Sequence, residues 1–153
     1  KNILELGVYL GYSTIRILRN LDNFSKLTSI ESNKKFAEIA KEHIKISGLS
    51  ENHELLIGKT TQIIPTLDEK FDFIFIDHWK DLYLEDLKML ERKKLIKHNA
   101  WIFADNVILF NLEDYLGYVR SSSKYQSKFI STKREYSKSH PDGIEISIFK
   151  DEI

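Results

Sequence analysis

The sequence of 153 residues contains no cysteine, and that absence excludes several kinds of chemistry. Without cysteine there is no disulfide framework, no thiolate nucleophile and no zinc site built on thiolates. Lys+Arg and Asp+Glu both number 23, so no excess of charge favours nucleic acid or an anionic membrane as a partner. The sequence also has no apolar tract of transmembrane length and no recognisable signal peptide. These absences predict a cytoplasmic protein without a nucleic-acid partner or a membrane segment.

Proline and glycine are scarce, with 2 and 6 residues respectively, and no stretch has the composition of a linker or a repeat. The length and the hydrophobic content of 42% predict one domain over residues 1–153 with a sizeable core. Because residues 2–6 already have the pattern of a strand and nothing before them could cover the outer edges of a sheet, we expect upstream segments to be missing from the chain.

Apolar strands alternate with helical segments along the first 120 residues. The pattern predicts strands at residues 2–6, 27–31, 53–57, 71–77 and 101–104, and helices at residues 13–20, 34–47, 62–66, 82–92 and 112–120. Ser13 is the expected N-cap of the first helix. Two further strands, at 126–136 and 144–150, form an antiparallel hairpin whose turn is signalled by Asp142-Gly143. The whole pattern predicts a doubly wound α/β fold with a mostly parallel sheet.

Polar side chains follow two of the predicted strands at the point where each strand ends. The apolar run of residues 73–76 is followed by Asp77, and the strand at 101–104 is followed by Asp105 and Asn106. Ligands bind outside the carboxyl ends of such strands, and these three oxygen donors suit Mg²⁺. Either aspartate alone would more commonly cap a helix. The three residues together with Lys80 favour a metal site.

The same loop carries Lys80, a candidate general base. A lysine is most often a solvated surface charge. Here an adjacent aromatic residue and a neighbouring dication would disfavour the charged form of its amine, which makes proton abstraction feasible. His78 and Trp79 could pack against an adenine ring or could simply pack the loop.

A glycine-containing turn follows the first strand. Gly7 and Gly11 allow a tight turn and a close approach of a ligand to the backbone, although the spacing also suits an ordinary strand-to-helix turn. Glu31 ends the second strand, where an acid can accept hydrogen bonds from both hydroxyls of a ribose. The alternative for Glu31 is a solvated acid at the start of the next helix.

Five blocks of the sequence resemble the catechol O-methyltransferase family, and they occur in the family's order. The blocks are Glu5-Leu6-Gly7, Gly11-Tyr12-Ser13, Asp77-His78-Trp79-Lys80-Asp81, Ala104-Asp105-Asn106-Val107-Ile108 and Val119-Arg120-Ser121-Ser122-Ser123. The resemblance implies a class I methyltransferase with a seven-stranded, Rossmann-like sheet. It also implies S-adenosylmethionine as methyl donor, Mg²⁺ as metal and a small aromatic diol of the catechol type as substrate.

The resemblance also implies a role for individual residues. Glu31 would hold the ribose hydroxyls, Lys80 would be the general base, and Glu135 would hydrogen-bond the second catechol hydroxyl. The pattern around Glu135 by itself indicates only a solvated charge. The metal ligands would be Asp77, Asp105 and Asn106. The other residues in contact with the donor would be Glu5, Gly7, Tyr9, Ser13, Ser32, Thr60, Thr61, Asp77, His78 and Trp79.

The sequence departs from the family in three places. Thr60 and Thr61 stand where the family has a serine and a glutamine, and Phe110 stands where it has a proline beside the substrate. The helices that precede the first strand in the family are absent. Two other functions stay open: a truncated or non-catalytic nucleoside-binding relative, and a nicotinamide-dependent oxidoreductase. The glycine spacing and the Asp105-Asn106 pair disfavour the oxidoreductase.

Overall fold

The computed structural model describes residues 1–133 and 140–151 and contains a single twisted sheet of seven strands. The strands are β1 (Asn2–Leu6), β2 (Lys26–Glu31), β3 (His53–Ile57), β4 (Phe71–Ile76), β5 (Ile96–Ala104), β6 (Tyr125–Lys133) and β7 (Pro141–Phe149). Their order in the sheet is β3-β2-β1-β4-β5-β7-β6. Strands β1 to β5 are parallel, and β7 is antiparallel to both β5 and β6. The predicted α/β fold with a C-terminal antiparallel hairpin is confirmed.

Within the described residues, five helices connect the strands: α1 (Tyr12–Leu18), α2 (Lys34–Ile46), α3 (Thr60–Ile63), α4 (Tyr83–Arg92) and α5 (Glu113–Ser121). Short 3₁₀ turns extend α3 at Ile64–Thr66 and precede α4 at Lys80–Leu82. Helix α2 shows how local chemistry sets these bounds. The Asn33 side chain accepts hydrogen bonds from two free backbone N–H groups of the first turn, and Gly48 adopts a φ of 74° just after the last turn.

Two of the predicted local signals were wrong. Gly11, not Ser13, is the N-cap of α1, because the Ser13 hydroxyl donates to the buried carboxylate of Glu5 at 2.7 Å. Asp142 and Gly143 do not form the hairpin turn but lie within β7. A Cβ at position 143 would collide with the Phe129 ring, so packing between β6 and β7 explains the glycine.

The two faces of the sheet differ in how they are covered. On one face, apolar residues of the central strands pack against α4 and α5 in the main core, with Leu4, Ile74 and Ile102 completely buried. On the opposite face, α1 and α2 cover the β1–β3 half of the sheet in a smaller cluster. Further along this face, Trp101 of β5 remains 47% exposed beside the half-buried Phe73 of β4. The carboxyl ends of the central strands therefore lie next to a partly open apolar surface.

Candidate active site

The polar residues that follow the parallel strands meet at one edge of the sheet. In the strand register, the last residues of β1, β4 and β5 are adjacent, so Gly7, Asp77 and Asp105 come next to one another. Backbone hydrogen bonds extend this alignment past the strand ends: the Asp77 N–H donates to Leu6 at 2.9 Å, and the Asp105 N–H donates to Ile76 at 3.0 Å. The convergence expected from the sequence is thus present.

Gly7 has a φ of 94°, and a Cβ at this position would collide with the Asp77 carbonyl group. The sequence suggested that this glycine allows a ligand to approach the backbone. In the structure, the close approach of the loop that follows β4 already requires it. The glycine therefore brings the β1–α1 turn and the Asp77 loop together.

Glu5 anchors this turn from below. Its carboxylate is completely buried and accepts hydrogen bonds from the hydroxyls of Ser13, Thr14 and Ser29, each at 2.7 Å. Burial raises the pKa of Glu5, while the three hydrogen bonds act in the opposite direction. Ser13 borders a cavity, whereas Glu5 lies behind it and fixes the turn.

Glu31 is not a solvated acid, because it is 8% exposed and its carboxylate accepts three backbone hydrogen bonds. One oxygen accepts hydrogen bonds from Val8 at 3.1 Å and Tyr9 at 2.9 Å, and the other accepts one from Asn33 at 2.8 Å. An acid in this place ties the β1–α1 turn to the end of β2. The oxygen that accepts from Asn33 retains a free lone pair that a ribose hydroxyl could use.

A cavity of about 750 Å³ lies between the turn, the end of β2 and the Asp77 loop. Its volume is within the range typical of small-molecule sites. Trp79 is 70% exposed on its wall, and the buried Thr60 hydroxyl has no hydrogen-bond partner within the described part of the chain. Predicted donor-binding residues on its wall are Gly7, Tyr9, Glu31, Ser32, Thr60, Thr61, Asp77, His78 and Trp79.

A second cavity, of about 420 Å³, adjoins the first along Gly7, Tyr9 and Asp77. Its floor is aromatic and includes Phe75 and Phe103 of the open sheet face. Asp77 and Asp105 line its polar end. A small aromatic molecule could therefore lie on apolar rings with its polar groups directed at the two carboxylates.

Lys80 lies at the centre of the polar site and is not a solvated surface charge. Its Nζ donates to Asp77 Oδ1 at 2.7 Å, to the Tyr83 hydroxyl at 2.7 Å and to Asn106 Oδ1 at 3.0 Å. The ammonium also lies 5.0 Å from the centre of the Tyr83 ring and 5.4 Å from that of the Phe110 ring. The 3₁₀ turn after Trp79 places Lys80 over Asp77, three residues earlier.

The charges around Lys80 favour a cation of higher charge than an ammonium. Asp77, Asp105 and Asp142 contribute three carboxylates against one ammonium, a balance of −3 + 1 = −2 when all are ionised. Burial and the two neighbouring acids raise the pKa of Asp105, and Lys80 acts in the opposite direction. Asp77 and Asn106 already hold one cation, the ammonium, so the predicted metal ligands fit a hard divalent ion.

No group of three or more His, Cys, Asp or Glu side chains is arranged as a metal site within residues 1–133 and 140–151. The candidate set is mixed, with two carboxylates and the Asn106 amide oxygen. Glu135 lies outside the described residues.

Within residues 1–133 and 140–151, no helix is both long enough and apolar enough to cross a membrane.

Three residues of the site had not been expected from the sequence. Asp142 is 2% exposed and accepts a hydrogen bond from the Asn106 amide at 3.0 Å, which directs the amide oxygen towards Lys80. The completely buried Asp86 holds His78 at 2.7 Å. Tyr83 contacts Lys80, and burial strongly raises the pKa of its hydroxyl. The spacing of Lys80 and Tyr83, three residues apart at a helix start, was the one available signal.

Comparison with known proteins identifies the group to which this arrangement belongs. The sequence model of a family described as O-methyltransferase matches residues 1–138. Catechol O-methyltransferase B of Danio rerio is 40% identical over 154 residues, covering 97% of this chain and 58% of that protein. Catechol O-methyltransferase of Sus scrofa is 37% identical over 153 residues, covering 97% of this chain and 82% of that protein.

A solved structure shares the fold over nearly the whole chain. The O-methyltransferase TomG from Streptomyces achromogenes, solved in complex with SAM, has a TM-score of 0.88 and 26% identity, covering 98% of this chain and 73% of that one. The chain spans 56 to 58% of the length of the catechol O-methyltransferases of Danio rerio, Bos taurus and Mus musculus. The resemblance found in the sequence motifs is confirmed, and the chain belongs to the O-methyltransferase family.

Proposed function

We propose that this protein transfers a methyl group from S-adenosylmethionine to one hydroxyl of a catechol-type substrate with Mg²⁺ bound. The observation that carries the proposal is the position of Lys80, which is held by Asn106 and by Asp77, a residue that lines both cavities. The larger cavity suits a nucleoside, and the smaller one suits an aromatic ring. We treat residues 1–153 as one domain, and the cytoplasmic location stays a prediction.

We assign the larger cavity to the methyl donor. Glu31 would accept hydrogen bonds from the ribose hydroxyls, and the exposed face of Trp79 would stack on the adenine. Tyr9 and Ser13 border the smaller cavity next to Gly7 and would guide the methionine end of the donor towards it. The SAM bound to TomG supports this choice of donor.

We assign the metal to Asp77, Asp105 and Asn106. When bound there, Mg²⁺ would polarise the hydroxyl oxygens of the acceptor. Because Asp77 and Asn106 now hold the Lys80 ammonium, the metal and the ammonium compete for the same oxygens. With a metal bound there, Lys80 would lose its hydrogen bonds to Asp77 and Asn106.

The chemical step moves one proton and one methyl group. The acceptor hydroxyl oxygen forms a bond to the methyl carbon, and the bond from that carbon to the sulfonium breaks with its electron pair going to sulfur. The Lys80 ammonium first releases one proton to solvent, and the resulting neutral amine takes the hydroxyl proton. The sulfonium is intrinsically reactive, so the main contribution of the protein is to hold the two molecules in line. Glu135 would orient the second hydroxyl.

The proposed base is tested by Lys80→Ala in an assay with labelled S-adenosylmethionine and a panel of catechols. We expect kcat to fall by about 100-fold or more, with the affinity for S-adenosylhomocysteine unchanged. Lys93→Ala, which changes an exposed lysine after α4, is the matched control and should behave as the wild type. Unchanged catechol methylation by Lys80→Ala would show that another group takes the proton.

The proposed metal site is tested by Asp105→Ala over a range of Mg²⁺ concentrations. Removal of one of two carboxylate ligands should abolish methylation or shift its Mg²⁺ dependence to much higher concentration, and a chelator should silence the wild type. Direct Mn²⁺ binding, measured by water-proton relaxation, provides a readout without turnover. If the variant and the wild type respond identically at every metal concentration, the metal assignment is wrong.

Two observations bear on the alternatives. Phe110 is 53% exposed and its ring centre lies 5.4 Å from the Lys80 ammonium, so we infer that the preferred diol has an apolar substituent. The larger cavity alone would suit a nucleoside, so a non-catalytic nucleoside-binding protein is the second candidate. Calorimetry with S-adenosylhomocysteine and then with NAD separates these two candidates, the methyltransferase and the nucleoside-binding protein, from an oxidoreductase. Donor binding without turnover on any catechol would favour the second candidate.

A further inference from the structure

Tyr83 makes an unusually complete set of contacts for a residue outside the predicted site. It begins α4, its side chain is completely buried, and its hydroxyl lies 2.7 Å from Lys80 Nζ. The same hydroxyl donates to the backbone carbonyl of Asp105 at 3.1 Å. We propose that Tyr83 is a positioning residue that holds the Lys80 amine at the reaction site, an inference that rests on the function proposed above.

The direction of these hydrogen bonds follows from their donors and acceptors. A phenol has one proton, and the carbonyl of Asp105 can only accept it. The Tyr83 oxygen therefore accepts from Lys80. The result is a fixed link from the backbone of the metal loop, through one hydroxyl, to the proposed base.

The Tyr83 ring is itself held on both sides by other rings. The His78 ring stacks on it with centroids 5.2 Å apart and planes 9° apart, and the Tyr115 ring meets it edge-on at 5.8 Å and 82°. His78 is fixed in turn by Asp86 at 2.7 Å. The core thus determines the position of the hydroxyl, because the ring has no room to tilt.

Tyr83 differs in one respect from the other two acceptors of the Lys80 ammonium. Asp77 and Asn106 are both proposed metal ligands, so a bound metal would take up the oxygens that now contact Lys80. Tyr83 is the one of the three that would keep its contact with the amine. It would therefore hold the base in place at the stage when the base is needed.

The test compares Tyr83→Phe with Tyr115→Phe. Both variants remove one hydroxyl from a fully packed ring, but the Tyr115 hydroxyl has no hydrogen-bond partner within the described residues. We expect Tyr83→Phe to lower kcat at least fivefold while the KM values for donor and acceptor stay within twofold. Tyr115→Phe should leave all three within twofold. A smaller fall in kcat, an equal fall in both variants, or a change confined to KM would overturn the proposal.

A second measurement does not depend on turnover. The ¹⁵N–¹H signal of a lysine ammonium is visible when hydrogen bonds slow its exchange with water, and Lys80→Arg identifies the Lys80 signal. We expect the signal in the wild type and Tyr115→Phe, and its broadening or loss in Tyr83→Phe. An unchanged signal in Tyr83→Phe overturns the positioning role. If the wild type methylates no catechol while Tyr83→Phe still loses the Lys80 signal, the proposed function is overturned and the contact between Tyr83 and Lys80 stands.

Discussion

A chain of three polar side chains connects the first three strands of the sheet. His53 of β3 lies 3.0 Å from the Ser29 hydroxyl of β2, and that hydroxyl donates to Glu5 of β1 at 2.7 Å. Because the Ser29 proton is directed at the carboxylate, Nε2 of His53 must carry the proton and donate to Ser29. Burial lowers the pKa of His53 to about 4, so the ring is neutral at physiological pH. A side-chain relay thus crosses three strands below the turn that lines both cavities.

This histidine predicts a pH dependence of stability. Between pH 6.5 and about 4, the unfolded chain binds a proton at His53 and the folded chain does not, so the stability falls as the pH is lowered through this range. The slope from this one group is at most about 1.4 kcal/mol per pH unit. This slope is measured by urea unfolding of the wild type and of His53→Gln, a variant that keeps a hydrogen-bond donor for Ser29.

We expect the difference in unfolding free energy between the wild type and His53→Gln to shrink as the pH falls from 7 to 4. Glu5 acts in the opposite sense, because its raised pKa lets the folded state bind protons more readily. Glu5 is present in both proteins, so its contribution is common to the two curves. Parallel curves over the whole range would mean that His53 is protonated equally in the folded and unfolded states.

At the scale of elements, one ion pair connects α5 to the hairpin. Arg120 makes two parallel hydrogen bonds to Glu145 of β7, at 2.8 and 2.7 Å, and Glu145 is completely buried. The guanidinium also lies over the Phe129 ring of β6 at 5.8 Å. One side chain therefore links a helix to both strands of the hairpin. The pair matters for the site because β7 also carries Asp142, which orients Asn106.

We predict that Arg120→Met destabilises the protein by about 2–3 kcal/mol, because it leaves a buried carboxylate without its partner. Arg92→Met is the matched control, since its ion pair with Glu85 is more than half exposed and should contribute at most about 1 kcal/mol. Adding Glu145→Gln to Arg120→Met should restore part of the loss by removing the buried charge. Denaturant unfolding gives all four values. Equal losses for Arg120→Met and Arg92→Met would contradict the prediction.

At the scale of the whole molecule, the two cavities lie between elements that are far apart in the sequence. The larger one is bounded by the segments that follow β1, β2, β3 and β4. A ligand that binds there contacts all of these segments and therefore favours the folded chain over the unfolded one. Stabilisation by ligand thus measures the integrity of the whole parallel half of the sheet.

We predict that S-adenosylhomocysteine at 100 times its Kd stabilises the protein by about 2.7 kcal/mol and raises its Tm accordingly. NAD at the same concentration should have little effect, because the turn after β1 lacks the spacing of the dinucleotide fingerprint. Thermal unfolding with each ligand makes the comparison. A larger shift with NAD would favour the oxidoreductase.

Much of the fold could be predicted from local patterns. The bounds of β1 and β3 agree with the prediction, and α2 ends one residue earlier than expected. Here the signals are carried by the residues of each element: apolar runs, an N-cap, and a glycine after the last turn. The prediction for Ser13 was wrong because its hydroxyl donates to Glu5 of β1, eight residues earlier. The prediction for Asp142-Gly143 was wrong because Asp142 accepts from Asn106 and Gly143 packs against Phe129, both distant in sequence.

The sequence by itself determined the alternation of strands and helices, the absence of thiol chemistry, and the family motifs that place acids at strand ends. Only the tertiary structure decided how those acids are used. It buried Glu5 behind the turn, bound Glu31 to the backbone, and added Asp142 and Tyr83 around Lys80. The physical reason is the distance in sequence over which each kind of interaction acts. Backbone patterns depend on neighbours a few residues apart, whereas the hydrogen bonds and charges of the site join residues in or directly after five strands, which meet only in the folded sheet.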